Sequence, residues 1–308
     1  MALHPYFQNL VAQMKGQPAR SEGTVATARA LTAAGCQRLG PGPVMASKRD
    51  LTLPGRGGPI RARLFTPHQA EEALIVFFHG GGWVLGTAED YDSQVSALAE
   101  ATRIPVLFVD YRLAPEHPFP AAADDAEDAM AAVLSGSHPD LPEGPVVVMG
   151  DSAGGNLSAV VCNGLSETGR LALQVLYYPV TDCDFTRASY RDFGTDHPLT
   201  AGDMRWFFDH YVPDEALRQD PRVSPLHHPR PGGPGIPALI VTAECDVLRD
   251  EGIAYAEKLQ AAGCPVTWRD APGMAHVFLR HYAQVPEAAA DLRQTAAQIR
   301  AALGLSEL

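Results

Sequence analysis

Residues 145–165 restrict what this chain can fold into more than any other stretch. An apolar, β-branched run, Pro145-Val146-Val147-Val148-Met149, leads straight into Gly150-Asp151-Ser152-Ala153-Gly154, and residues 153–165 then read as a helix. A strand that becomes a helix at one serine must turn sharply. The serine is then strained at the tip with its hydroxyl exposed, the arrangement of a nucleophile elbow. Glycines at 150 and 154 lack a Cβ, so strand and helix can cross closely.

The rest of the chain repeats the same rhythm. Strand-like runs at 74–78, 106–110, 145–149, 172–178, 238–243 and 265–269 alternate with helical stretches at 90–102, 121–134, 153–166, 250–262 and 286–303. Alternation of this kind predicts a mostly parallel central sheet flanked by helices on both faces. Ahead of it, 44–53 and 60–66 read as a strand pair around Pro54-Gly55-Arg56-Gly57-Gly58. Residues 1–45 hold two helical stretches, 5–15 and 22–39, and Pro41-Gly42-Pro43 ends the second. The βα rhythm breaks between Val180 and Pro237, and an insertion this long is usually functional or disordered. Here it carries Trp206, Phe207, Phe208 and Tyr211 on a helical stretch, so it can bury surface.

A serine nucleophile needs a base, and the base needs an acid to orient it. With this elbow the chain order is Ser, then Asp or Glu, then His. Of eleven histidines, only His276 and His281 lie far enough downstream. His276 follows Pro272-Gly273-Met274-Ala275, a loop composition from which a side chain can swing into a site, whereas Leu279-Arg280-His281-Tyr282 reads as a surface helix or turn. For the acid, Asp246 follows the apolar run 238–243, and catalytic groups cluster at the carboxyl ends of such strands. Asp250 and Glu251 are the runners-up, and both suit the first turn of a helix, where a carboxylate meets the positive end of the dipole. A third element supplies donors for a developing oxyanion. The run 74–78 ends in His79-Gly80-Gly81-Gly82-Trp83, whose glycines expose backbone N–H groups, and the expected donors are Gly80, Gly81 and Ala153. His79 reads as structural, since its site is already supplied with a base.

These stretches occur together with Asp110-Tyr111-Arg112-Leu113-Ala114-Pro115-Glu116, Asp220-Pro221-Arg222-Val223-Ser224-Pro225-Leu226 and Asp246-Val247-Leu248-Arg249-Asp250-Glu251-Gly252. In that order, and over roughly residues 40–305, the chain resembles the hormone-sensitive-lipase-like family of α/β-hydrolases, the bacterial family IV esterases. The resemblance implies an α/β-hydrolase fold with a helical cap of two-part origin: N-terminal helices over 1–45, and an insertion at about 181–236 within a catalytic domain spanning 46–308. It implies Ser152, Asp246 and His276 as a triad acting on short- to medium-chain acyl esters through an acyl-enzyme, with no cofactor. The same triad would serve an amidase or an acyltransferase, and a binder without catalysis would dispense with the histidine. Bulky side chains expected to line the acyl pocket are Trp83, Met204, Trp206, Phe207 and Phe278, with Leu248 and Val277 beside the acid and the base. The strand at 265–270 falls at a sheet edge in this fold, where unpaired backbone groups invite a partner. A two-fold homodimer through it is therefore expected.

Composition narrows the partners. With 36 acidic against 24 basic residues and a net charge of −12, the surface is unsuited to nucleic acid or an anionic membrane. No window is apolar for long enough to span a bilayer. Cys36, Cys162, Cys183, Cys245 and Cys264 are dispersed without paired spacing, as suits reduced thiols in the cytoplasm. Cys245 reads as a packed small hydrophobe, and His227-His228, set among prolines, lacks the companions of a metal site.

Overall fold

The computed structural model describes residues 2–16, 20–136 and 138–308, so residues 1 and 17–19 of the N-terminal stretch lie outside the description. The chain opens with α1 (Pro5–Met14), a 3-10 turn at Arg20–Glu22 and α2 (Val25–Arg38). Then follow β1 (Ser47–Leu53), β2 (Ile60–Thr66), β3 (Leu74–Phe78), α3 (Asp92–Thr102), β4 (Val106–Asp110), α4 (Ala121–Leu134), β5 (Val146–Asp151), α5 (Ala153–Gly164) and β6 (Leu171–Tyr177). The insertion carries α6 (Ala188–Phe193) and α7 (Ala201–Tyr211), and β7 (Ala238–Cys245), α8 (Arg249–Ala261), β8 (Val266–Ala275) and α9 (Pro286–Ala302) close the chain. Among the described residues one eight-stranded sheet runs in the order β1-β2-β4-β3-β5-β6-β7-β8. β1, β2 and β4 pair antiparallel, and β4 onward through β8 is parallel. This is the α/β-hydrolase architecture.

Period-two alternation divides each buried strand between two cores. Leu74, Val76 and Phe78 of β3 join Leu107, Val109, Val146 and Val148 in one apolar layer with α4, α5 and α7. Ile75 and Phe77 join Val106, Phe108, Val147 and Met149 in the opposite layer with Leu98 of α3 and Leu292 of α9. That is why β3 reads as an unbroken apolar run: both faces are covered. Each such side chain contributes about 1.5–3 kcal/mol when fully buried.

The strand order reverses between β3 and β5. β3 leads outward to β4 on one side, while β5 leads to β6 on the other. The crevice at the carboxyl ends of those two strands is where α/β sheets place their sites. Phe78 pairs with Gly150 there, so the His79–Trp83 loop and the Ser152 turn emerge side by side. The insertion returns over this crevice. Asn156 of α5 donates its side-chain N–H groups to Val180 O at 2.9 Å and Val223 O at 2.8 Å, tying the start of the insertion and a later turn of it to the helix behind Ser152. The 3-10 turn at Arg20–Glu22 meets α7, with Arg20 lying 3.8 Å from Asp203 and 5.8 Å from the Phe207 ring centroid.

Most element ends shift from the sequence pattern by one to three residues, the start of β1 among them, and the end of β8 shifts further. β1 begins at Ser47, leaving Val44 79% exposed. β8 runs on to Ala275 through Pro272-Gly273, which composition assigns to a loop. Ala243 pairs with Ala271, but Cys245 pairs with Ala275, so β8 carries two extra residues against β7. This bulge absorbs the proline, with Gly273 at φ +68°, and pairing with β7 overrides local preference.

The crossing of α5 over β3 is a sensitive point of this fold. A Cβ on Gly154 would lie 1.8 Å from Phe78 O. Gly154→Ala should therefore cost about 3 kcal/mol or more by forcing backbone apart. Urea unfolding checks this, and a midpoint equal to wild type would contradict it.

Candidate active site

Ser152 sits between β5 and α5 at φ +55°, ψ −119°, a region a residue with a side chain occupies only under constraint. Neighbouring elements supply that constraint. Ser152 N–H donates to Tyr177 O at 2.9 Å, and Ser152 O accepts from Asn156 N–H at 3.0 Å and Val180 N–H at 3.2 Å. A Cβ on Gly150 would lie 2.2 Å from Gly154 O, so the two glycines permit the turn.

His276 follows the bulged end of β8. Its Nε2 is 2.9 Å from Ser152 Oγ, and its Nδ1 is 2.6 Å from Asp246 Oδ2. Asp246 follows β7 and is buried, with Oδ1 accepting the Leu248 N–H at 3.1 Å. The structure thus brings Ser152, His276 and Asp246 into one hydrogen-bonded line. The runners-up are engaged elsewhere. Glu251 is buried and accepts N–H groups from Thr181 at 2.8 Å and Asp182 at 3.3 Å, and burial raises its carboxyl well above the usual range. Asp250 accepts the Ser189 N–H at 2.8 Å.

His281 departs from expectation. It lies on the 3-10 turn Phe278–His281 but is buried, not at the surface, with the Tyr6 hydroxyl 3.0 Å from its Nδ1 and Phe7 edge-on at 5.5 Å. Helix α1 covers the segment that the sequence pattern alone leaves open.

The His79–Trp83 loop also corrects two readings. Gly80 N–H is expected to serve an oxyanion, but it donates to Asp151 Oδ1 at 2.9 Å. Among the described residues, the N–H groups of Gly81, Gly82 and Ala153 have no protein acceptor. Gly82, overlooked in the sequence, therefore replaces Gly80 among the free donors. The loop is shaped by His79, whose Nδ1–H donates to Gly80 O at 2.7 Å. Its ring is stacked between Tyr111, at 4.2 Å, and Phe108, at 5.1 Å. Burial pushes the His79 imidazole down to about 3, so it stays neutral and structural.

Trp83 is expected to wall a pocket, yet its side chain is completely buried. It stacks on Tyr211 at 4.2 Å and meets Phe208 edge-on at 5.5 Å, because φ of +59° at Trp83 turns the indole away from the loop and under α7. Phe278 is likewise a core residue, 5.6 Å from Tyr178 in the layer with α3 and α9. Met204 and Leu248 are buried in the layer below α7, Trp206 is half-buried, and Val277 is half-buried beside the histidine at φ +60°. Phe207 lies against the glycine loop: a Cβ on Gly82 would lie 2.2 Å from its ring. The sequence carries no signal for Tyr178, whose ring is 4.8 Å from His276. Among the described residues no cluster of His, Cys, Asp or Glu is arranged to hold a metal, and His227 Nε2 instead meets Asp182 Oδ1 at 2.9 Å. All five cysteines are free, and no helix among the described residues is long and apolar enough to cross a membrane.

Comparison with known proteins agrees with this geometry. A family model described as the alpha/beta hydrolase fold matches residues 75–280. The carboxylic ester hydrolase LipN of Mycobacterium tuberculosis is 40% identical over 293 residues, which cover 91% of this chain and 77% of that protein. The ethyl acetate hydrolase of Pseudomonas putida is 38% identical over 248 residues, 78% of each chain. Among solved structures, an esterase of Pyrobaculum calidifontis superposes with a TM-score of 0.89 at 34% identity, covering 99% of this chain and 100% of that one.

The buried His281 generates a stability prediction. Burial holds its imidazole down at about 4, below the ordinary 6.5. The unfolded chain therefore takes up a proton that the folded chain refuses, and stability present above the ordinary value is lost as pH falls through this window. Between about pH 7 and about pH 5 the group should cost about 2 kcal/mol. His281→Phe should remove that share of the acid sensitivity, read as the difference in urea midpoints at the two pH values. An equal loss in both proteins would contradict it.

Proposed function

The chain belongs to the hormone-sensitive-lipase-like family of α/β-hydrolases, and on that premise we propose that it is a serine carboxylesterase with Ser152, His276 and Asp246 as its catalytic groups. The observation that carries this reading is the unbroken line from Ser152 Oγ to His276 Nε2, at 2.9 Å, and from His276 Nδ1 to Asp246 Oδ2, at 2.6 Å. His276 takes the Ser152 proton as Oγ attacks the ester carbonyl. Asp246 holds the imidazole in the tautomer with Nδ1 protonated and stabilises the imidazolium that forms. The oxyanion accepts hydrogen bonds from the N–H groups of Gly81, Gly82 and Ala153, the last at the positive end of α5. His276 then protonates the departing alcohol, and water, deprotonated by the same imidazole, releases the acid.

Esters with acyl chains of roughly two to eight carbons are the proposed substrates, since a fitting methylene contributes only about 0.8 kcal/mol and a clash costs more. The support is the Phe207 ring set on Gly82, with Met204 buried on the same helix. A relative named for ethyl acetate hydrolysis points the same way. Residues 1–45 and 181–236 act together as the cap, a reading supported by the contact of Arg20 with Phe207. Five free cysteines support a cytoplasmic setting. For assembly, we place a two-fold homodimer at β8, which ends the sheet and exposes Trp268 by 43%.

Three measurements test these statements. Ser152→Ala and His276→Gln should each lower ester hydrolysis at least about a thousandfold, while His281→Gln stays near normal in the folded fraction. More than about a tenth of wild-type activity in Ser152→Ala would sink the assignment. In a series of aryl esters from acetyl to palmitoyl with an anilide control, butyryl should be turned over faster than palmitoyl, and the anilide slowest. Light scattering at micromolar protein should give a dimer mass that Thr267→Pro lowers to a monomer; a monomer mass for wild type contradicts the β8 interface.

A further inference from the structure

Asp151 precedes the nucleophile and takes no part in the line from Ser152 to Asp246. It is completely buried, and burial raises its carboxyl above the usual range, an effect opposed chiefly by the Arg280 charge. Both oxygens are engaged. Oδ1 accepts Gly80 N–H at 2.9 Å, and Oδ2 accepts the Tyr91 hydroxyl at 3.2 Å. The fit around Gly80 is close, since a Cβ there would lie 2.8 Å from Asp151 Oδ2 and 2.8 Å from Asp151 O. Tyr91 is in turn covered by Arg280, whose guanidinium carbon is 4.0 Å from the ring centroid. Arg280 belongs to the 3-10 turn that follows His276, and its Nη1 donates to Cys36 Sγ at 3.4 Å. One buried polar chain therefore joins the serine turn, the glycine loop and the histidine segment.

This arrangement gives the carboxylate a task that its neighbours cannot share. Three consecutive glycines have the largest backbone freedom of any tripeptide, and the loop must nevertheless aim two N–H groups at a point beside Ser152. Gly81 stands at φ +108° and Gly82 at φ +60°, so neither rests in the ordinary basins of a residue with a side chain. Oxyanion stabilisation depends on donors placed before the charge develops, and a displacement of about 1 Å can cost about 10²-fold in rate. A hydrogen bond to a charged acceptor is roughly twice as strong as a neutral one. Asp151 clamps the first glycine to the same turn that presents Ser152, so donor and nucleophile share one frame.

We propose that Asp151 is a positioning residue for the reaction, whose carboxylate anchors Gly80 N–H and thereby aims the Gly81 and Gly82 N–H groups at the oxyanion. The inference rests on the esterase reading above, but its anchor is measurable without substrate. The full-length wild type is compared with Asp151→Ala, Asp151→Asn and Tyr91→Phe, each first shown to unfold cooperatively. Hydrogen exchange of the peptide over 79–85 should be at least about tenfold faster in Asp151→Ala, because Gly80 N–H loses its acceptor. On an acetyl or butyryl aryl ester, kcat should fall about 10²-fold with KM within about threefold of wild type, since the donors act only in the transition state. Affinity for an alkyl trifluoromethyl ketone, which forms an oxyanion on Ser152, should fall by a similar factor. Asp151→Asn keeps an oxygen acceptor in place and should recover most of the lost kcat. Tyr91→Phe removes one donor to the carboxylate without disturbing the fold, and should lower kcat by about three- to tenfold. Should Asp151→Ala fail to fold, Tyr91→Phe still decides. Wild-type kcat in a folded Asp151→Ala or in Tyr91→Phe, or exchange over 79–85 unchanged in every folded variant, overturns the proposal. So does a loss expressed as raised KM alone. Wild type inert toward every ester, with exchange altered as expected, would instead strike the esterase reading and leave the anchor standing.

Discussion

The site depends on how closely α5 can cross the carboxyl ends of β3 and β5. Gly150 and Gly154 allow backbone to approach backbone where a single methyl group would lie about 2 Å from a carbonyl oxygen. The crossing holds Ser152 at a positive φ with its hydroxyl at the helix N-terminus, and it brings the Ala153 N–H beside the glycine loop leaving β3. Strain of this kind persists only when surrounding structure over-determines it. Here Asn156 of α5, and Tyr177 and Val180 at the end of β6, hold the serine by its own backbone groups.

Buried polar groups form a second frame around that crossing, each with a definite backbone partner. Asp151 holds the glycine loop, Asn156 holds the insertion at Val180 and Val223, and Glu251 holds Thr181 and Asp182 where the insertion departs. A buried polar group without its partner costs about 1–3 kcal/mol, so each of these contacts specifies one arrangement over its alternatives. The N-terminal segment acts similarly on the histidine side. His4 N–H donates to Gly273 O at 2.9 Å, and Gly273 N–H donates to Glu244 Oε2 at 2.7 Å, so the bulge that delivers His276 is bonded on both sides. His276 thus rests on a strand end that is paired and covered, and is no side chain on a mobile loop.

The aromatic side chains of the insertion divide their work in a way that follows from helix geometry. Residues 204, 207, 208 and 211 fall on one stripe of α7 at intervals of three and four, and all four are buried. Phe208 and Tyr211 meet Trp83 below, while Phe207 meets Gly82 directly. The same stripe that fastens the insertion to the body therefore also closes one side of the donor loop. Packing and enclosure of the site are two consequences of one amphipathic face.

Much of this was legible from the chain alone. β2, β3, β4 and α4 begin and end where the pattern of apolar residues, glycines and prolines places them, because those choices are made by near neighbours and by the burial of alternate side chains. Ser152 and Asp246 were readable for a related reason: each stands at the end of a strand whose apolar run announces it, while His276 was readable from its place in the chain order and the loop composition ahead of it. What the sequence did not hold was the allocation of partners across long separations. Gly80 N–H is bound by a carboxylate 71 residues away, and His281 is buried by a helix that lies some 275 residues earlier. Trp83 is turned into the core by a backbone angle that no local signal encodes, and Pro272-Gly273 is drawn into β8 by pairing with β7. Local preference sets which elements form. Which donor meets which acceptor, and which side of a residue faces the site, is decided only when distant segments compete for the same buried space.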